Sequence, residues 1–123
     1  KKNSRINKGY YPTDSSFKQK KITKKQMLDG GSIISFELNS SKKNEKTSAF
    51  SFLNKLKLID ISNNLGDSKT LITHPDTTTH HRLSHEEKIS LRITKNLVRL
   101  SVGLEDSTDL IGDIDNALKK AIR

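Results

Sequence analysis

One arginine on an otherwise apolar run is the side chain best placed to bind a ligand. The segment from Leu97 to Asp106 reads LVRLSVGLED, and strand alternation puts Val98, Leu100, Val102 and Leu104 on one face. Leu97, Arg99, Ser101 and Gly103 take the other face, so a small hydroxyl and a glycine beside Arg99 leave a recess. A planar guanidinium there suits a carboxylate or a phosphate, held by two parallel hydrogen bonds. The competing reading is a structural ion pair with one of the chain's 14 acidic residues.

The histidines are the other cluster with chemical potential. His74, His80, His81 and His85 lie close together in sequence, and imidazoles so grouped raise the question of a metal. The string that begins His85-Glu86 misses the zinc-protease pattern because its fifth residue is Ile89, and the chain has no cysteine. Loop and surface roles are expected for all four, and no metal.

Holding Arg99 in place requires a scaffold, which the sequence outlines. Residues 1–13 read as an exposed lead-in with a short extended piece near Tyr10 and Tyr11, ended by Pro12. A lysine-rich helix is expected from Asp14 or Ser15 to Met27, with Phe17, Ile22 and Met27 as a thin apolar stripe. Gly30 and Gly31 permit a turn into a strand from Ser32 to Leu38, on which Ile34, Phe36 and Leu38 share a face. After the polar run Asn39 to Lys46, Thr47 or Ser48 is placed to cap a helix carrying Ala49, Phe52, Leu53 and Leu56 at helical spacing.

Short extended pieces follow at Leu58 to Ile61 and at Thr70 to Thr73, either side of a turn at Leu65-Gly66; His74-Pro75 ends the second. Beyond the polar loop Asp76 to Leu83, Ser84 and Glu87 make a capping box for a helix to about Leu91. Past the Arg99 strand, Glu105, Asp106 and Asp109 sit at the positive end of the last helix, and Lys119, Lys120 and Arg123 at its negative end. Leu110, Ile111, Ile114, Leu118 and Ala121 form its expected buried stripe. The irregular alternation predicts an α+β domain over residues 14–123, a small, largely antiparallel sheet with helices over one face.

Composition limits the classes. The 123 residues suffice for one domain, and with 31% hydrophobic residues and a mean hydropathy of −0.70 the chain is polar for a globular protein. No apolar run approaches the roughly 18 residues of a membrane-spanning helix, so no membrane partner is expected. The absence of cysteine fits a cytoplasmic setting. The net charge is +9, and nine of the 23 basic residues but only one acid fall in residues 1–25. Such a tail could bind phosphate backbones, which makes a non-enzymatic basic interaction module the reading from another class. Lysine predominates over arginine, however, and few aromatic residues interleave with the charges. A solvated lysine surface with no nucleic-acid partner is the expectation.

The stretches GDSKTLITHPDTTTHHRLSHEEK (66–88) and ITKNLVRLSVGLEDSTDLIGDIDNAL (93–118) closely resemble the C-terminal domain of the pyridoxal-phosphate enzymes of cysteine and methionine metabolism. YYP (10–12), KKQM (24–27), Gly30 and Gly31, ISFEL (34–38) and FLNKLKL (52–58) precede them in family order. Within that family the chain looks most like the O-succinylhomoserine and O-acetylhomoserine sulfhydrylases. Lys69 stands where cystathionine synthases and lyases tend to carry Glu and sulfhydrylases tend to carry Lys. Two features depart from the pattern: Thr70 replaces the usual Ser, and the run Asn39 to Lys46 is longer and more charged.

The resemblance implies the C-terminal domain of a fold-type I pyridoxal-phosphate enzyme. It implies that Arg99 clamps the α-carboxylate of an amino-acid substrate, that Thr70 helps receive it, and that the charge of Lys69 favours an acidic acyl group such as succinyl. The implied reaction replaces the acyl group of O-succinyl- or O-acetylhomoserine with sulfide to give homocysteine, with cystathionine γ-synthase or γ-lyase activity as the alternative. The implied assembly is a homotetramer. In this family the cofactor lysine lies in a Ser-x-Thr-Lys context. The nearest strings here, Lys21-Ile22-Thr23-Lys24 and Arg92-Ile93-Thr94-Lys95, both lack the serine, and no glycine-rich loop feeds a helix to hold the phosphate. The expectation is a C-terminal part of a longer enzyme, inactive alone, whose pyridoxal 5'-phosphate is bound by an upstream domain; no catalytic or cofactor-binding residue is assigned within this chain.

Overall fold

Two runs with strand alternation pair antiparallel at the heart of one sheet, β2 (Ile33–Leu38) against β5 (Leu97–Ser101), in a computed structural model that describes residues 3–122. Among those residues β1 (Ile6–Tyr10), β3 (Asp60–Ile61) and β4 (Leu71–Thr73) complete a five-stranded sheet in the order β1-β2-β5-β4-β3. Neighbours run antiparallel except β3 and β4, which are parallel. The helices are α1 (Lys20–Gln26), α2 (Glu45–Leu53), α3 (His85–Ser90) and α4 (Ser107–Ala121). This is the α+β architecture expected.

Alternation fixes which side of the sheet each residue takes. Phe36, Leu38, Ile72, Val98 and Leu100 bury one face against Ala49, Phe52 and Leu53 of α2 and Leu110, Ala117 and Leu118 of α4. Phe36 and Phe52 meet edge to face with ring centres 6.0 Å apart, the arrangement their quadrupoles prefer. The other face carries Arg99 together with the buried Leu71, Thr73, Leu97 and Ser101. Loop residues rather than the two core helices cover it: Asn63 bonds Thr73, and the Gly66 N–H donates to Ser101 Oγ at 3.0 Å.

Local chemistry explains where the elements depart from expectation. Residues 7–9, within the stretch read as a lead-in, are exposed, and they also form part of the edge strand β1. Helix α1 starts only at Lys20, because the Asp14 carboxylate accepts from the Ser16 N–H at 2.8 Å and from its hydroxyl, a local turn that competes with the helix. Its supposed stripe does not pack, since Ile22 and Met27 are exposed. Helix α2 begins at Glu45 behind a 3-10 turn, Lys42–Asn44, so Thr47 and Ser48 lie inside it and do not cap it. The box at α3 forms as expected: the Ser84 N–H donates to Glu87 at 2.7 Å and the Glu87 N–H to Ser84 Oγ at 3.2 Å.

On α4, Asp106 caps the N–H groups of Thr108 and Asp109, Ala117 joins the buried stripe, and Ile111 is 66% exposed. Arg123 lies outside the described residues. Asp113 ties α4 to the chain entering β3, accepting from the N–H groups of Lys57, Leu58 and Ile59 at 2.8, 2.9 and 3.0 Å.

Candidate functional site

Strand β5 carries Arg99 opposite Ser35 of β2 on one side and Thr73 of β4 on the other. Its Nη2 donates to the Asn63 carbonyl at 3.2 Å. Nε is buried and has no partner, and among the described residues no carboxylate forms an ion pair with Arg99. Burial lowers the Arg99 pKa from its usual value, but a guanidinium remains charged at any physiological pH. A half-buried cation with one of its five N–H groups committed can still bind an anion. Among the described residues the structural ion pair weighed from sequence is not formed.

The recess expected beside Ser101 and Gly103 is filled by the chain itself. A Cβ on Gly103 would strike the backbone of Ser68, Lys69 and Thr70, the last at 2.6 Å from its amide nitrogen. The small residue makes room for the turn before β4, leaving none there for a ligand. Strand β5 ends at Ser101, the Leu104 N–H turns to the Ser68 carbonyl at 2.7 Å, and the Leu104 side chain is 86% exposed instead of extending the apolar face.

Thr70 and Lys69 sit on that turn. Thr70 is fully buried, its Oγ1 accepts from the Gly103 N–H at 2.8 Å, and its own N–H donates to Glu105 Oε1 and Oε2 at 2.6 and 3.1 Å. The Thr70 hydroxyl, and then its N–H, hold the Glu105 carboxyl below the ordinary carboxylate range. The Thr70 hydroxyl is turned inward, onto the Gly103 N–H. Lys69 faces solvent and pairs with Asp60 at 3.3 Å. It precedes Thr73, the cross-strand neighbour of Arg99, by four residues, a span of about 13 Å in extended chain. Among the described residues no hydrogen bond or ion pair links Arg99, Thr70 and Lys69 to one another.

Sequence reading missed Asn63 and gave Glu105 only a helix-end role. A doublet of asparagines before a Leu-Gly turn was the available signal for the first. His74 is 2% exposed, with Nδ1 2.8 Å from Thr77 Oγ1 and Nε2 2.8 Å from the Lys95 carbonyl. His80 and His81 bond within their own loop, to Thr79 and to the Thr78 carbonyl. Among the described residues no three His, Cys, Asp or Glu side chains gather to hold a metal ion. Among them no helix is long and apolar enough to cross a membrane.

The largely antiparallel sheet has helices on one face and loop residues on the other, where Arg99 has no ion-pair partner among the described residues. The sequence profile described as Cys/Met metabolism PLP-dependent enzyme matches residues 1–119, and the chain belongs to that family, whose members are pyridoxal-phosphate-dependent enzymes. It is 48% identical over 108 residues to the O-succinylhomoserine sulfhydrylase of Mycobacterium tuberculosis, a match covering 88% of this chain and 27% of that protein. It is 44% identical over 119 residues to the L-methionine gamma-lyase of Fusobacterium nucleatum, covering 97% of this chain and 29% of the lyase. The fold is similar to that of cystathionine gamma synthase from Xanthomonas oryzae pv. oryzae in complex with cystathionine, with a TM-score of 0.88 and 27% identity, covering 97% of this chain and 30% of that one. The chain thus spans less than a third of the length of these relatives.

The residues described here do not fit the cofactor itself. A lysine that carries it must be desolvated and lightly held. Every described lysine is exposed except Lys20 and Lys88, and Lys88 is committed to Asp76 at 2.8 Å. What the chain offers is Arg99.

Proposed function

We propose that this chain supplies the carboxylate-binding side of a sulfhydrylase that converts O-succinyl- or O-acetylhomoserine and sulfide to homocysteine. Sulfide sulfur bonds to Cγ as the Cγ–O bond breaks, the acyl group leaves as its carboxylate, and with sulfide supplied as HS⁻ the one proton stays on the thiol, so atoms and charge balance. The observation that carries the reading is Arg99, half-buried, without an ion-pair partner among the described residues and anchored at a single hydrogen bond. A substrate α-carboxylate would complete it. Two hydrogen bonds from a planar fork fix orientation as well as position, and so present the substrate's amino group and Cγ in one geometry. Thr70 and Glu105 act behind this, pinning the turn before β4 to the start of α4. Lys69, which pairs with Asp60 at 3.3 Å, adds a positive charge that would favour a succinyl over an acetyl donor. Residues beyond this stretch would hold the cofactor, in a cytoplasmic enzyme assembled as a homotetramer.

A lyase reading draws on the methionine gamma-lyase relative, since a carboxylate clamp serves either reaction. The deciding experiment joins this chain to a family cofactor domain and supplies O-succinylhomoserine with sulfide, or methionine alone. Homocysteine from the first with little turnover of the second is expected. Rapid cleavage of methionine with no homocysteine formed would replace the sulfhydrylase reading with the lyase one.

A further inference from the structure

We infer that Asn63 is the positioning residue for Arg99, its side-chain amide acting as the donor that starts a directed chain of hydrogen bonds; this rests on the carboxylate-clamp reading above. Three residues close a ring. The β4–β5 register sets Thr73 opposite Arg99, Thr73 Oγ1 lies 2.9 Å from Asn63 Oδ1, and the Asn63 backbone carbonyl accepts from Arg99 Nη2 at 3.2 Å. The chain continues inward. Thr73 Oγ1 is 2.8 Å from Thr78 Oγ1, and Thr78 Oγ1 is 2.8 Å from the His74 carbonyl oxygen.

Counting protons fixes the direction. With the amide oxygen of Asn63 facing Thr73, three short contacts share two hydroxyl protons, because neither that oxygen nor the His74 carbonyl can donate. One pair of oxygens would then face each other with no proton between them. Which end of an amide is nitrogen follows from the network, and turning this one over supplies the missing proton. Asn63 Nδ2 donates to Thr73, the Thr73 hydroxyl to Thr78, and the Thr78 hydroxyl to the His74 carbonyl. The end of the chain is rigid: His74 is buried, its ring stacks edge to face on Phe50 at 5.2 Å, and its Nε2 must carry a proton to meet the Lys95 carbonyl. Asn63 itself lies in an irregular, exposed loop, so without this hold its carbonyl would not stay where Arg99 meets it.

NMR on the 123-residue chain tests this without any ligand. In the unsubstituted protein one Asn63 Nδ2 proton exchanges with solvent more slowly than those of exposed amides, and Thr73→Val abolishes that protection. Asn63→Ala and Thr73→Val each speed rotation about the Arg99 Nε–Cζ bond roughly two- to tenfold, and the double variant is no faster than the single ones. A merely structural Asn63 would move the melting temperature and leave that rotation unchanged, which would overturn the inference; so would Nδ2 protons that exchange freely in the unsubstituted chain. Failure of the clamp reading is a separate result, namely a complete enzyme in which Arg99→Lys turns over normally.

Discussion

Glu105, at the entrance to α4, grips the backbone N–H of Thr70 with both carboxylate oxygens, at 2.6 and 3.1 Å. The Thr70 hydroxyl and N–H depress the Glu105 pKa, so the carboxylate favours the fold when ionised. A depressed folded pKa contributes stability above the unfolded value, near 4.3, that is lost as pH falls through the folded one. Glu105→Gln should therefore lower Tm at pH 7 and flatten its decline below about pH 4.5. Thermal melts across that range check it, and parallel curves for the two proteins would contradict it.

Tyr10 gives the alkaline counterpart. Its hydroxyl donates to Glu37 Oε1 at 2.6 Å, and burial first, then that bond and the Glu37 charge, push its pKa up to about 12. The neutral phenol is the form the fold favours, so this contribution is complete below the ordinary value of about 10 and disappears as pH rises through about 12. In a Tyr11→Phe variant, which leaves one tyrosine and no tryptophan, phenolate absorbance should appear near pH 12. A midpoint near 10 in the folded protein would show that the contact with Glu37 is not made.

Gly103→Ala should be costly although its backbone angle is one any residue adopts. The new methyl would overlap the backbone of residues 68–70, and backbone cannot swing aside as a side chain can. Overpacking of this kind costs about 1–3 kcal/mol. Urea unfolding should show the midpoint fall by that amount with the slope unchanged, whereas an unaltered midpoint would mean that the turn yields easily.

Lys69 bears on donor choice. In the complete enzyme Lys69→Glu should raise KM for O-succinylhomoserine roughly two- to fivefold more than for O-acetylhomoserine, the scale of a solvent-screened charge contact. Equal effects on the two substrates would remove Lys69 from any part in selecting the acyl group.

How much of this was legible in the sequence follows from how local each signal is. The capping box at Ser84 and Glu87 and the alternation from Leu97 to Ser101 depend on residues near one another and appear as read, while the strand expected from Ser32 begins one residue later and the apolar face stops short of Leu104. The family, through its motifs, was legible too. The start of α1 was not, because the Asp14 side chain satisfies Ser16 in a turn and halts the helix there. Gly103 was misread because the backbone that fills its space comes from residues 68–70, 33 or more positions away. Asp113 looks like an ordinary helix acid until the fold brings the N–H groups of residues 57–59 to it. The supports of Arg99, Asn63 and Thr73, are likewise partners across space that no periodicity announces.

The central claim is that Arg99 holds a substrate carboxylate, and Arg99→Lys in the enzyme completed by its cofactor domain tests it most directly. The substitution keeps the charge and removes the fork. A charge-assisted contact of this kind is worth about 1.5–3 kcal/mol, so kcat/KM should fall roughly ten- to a hundredfold, with Tm and cofactor absorbance nearly unchanged. An unaltered kcat/KM together with a lowered Tm would contradict the claim and make Arg99 a structural residue.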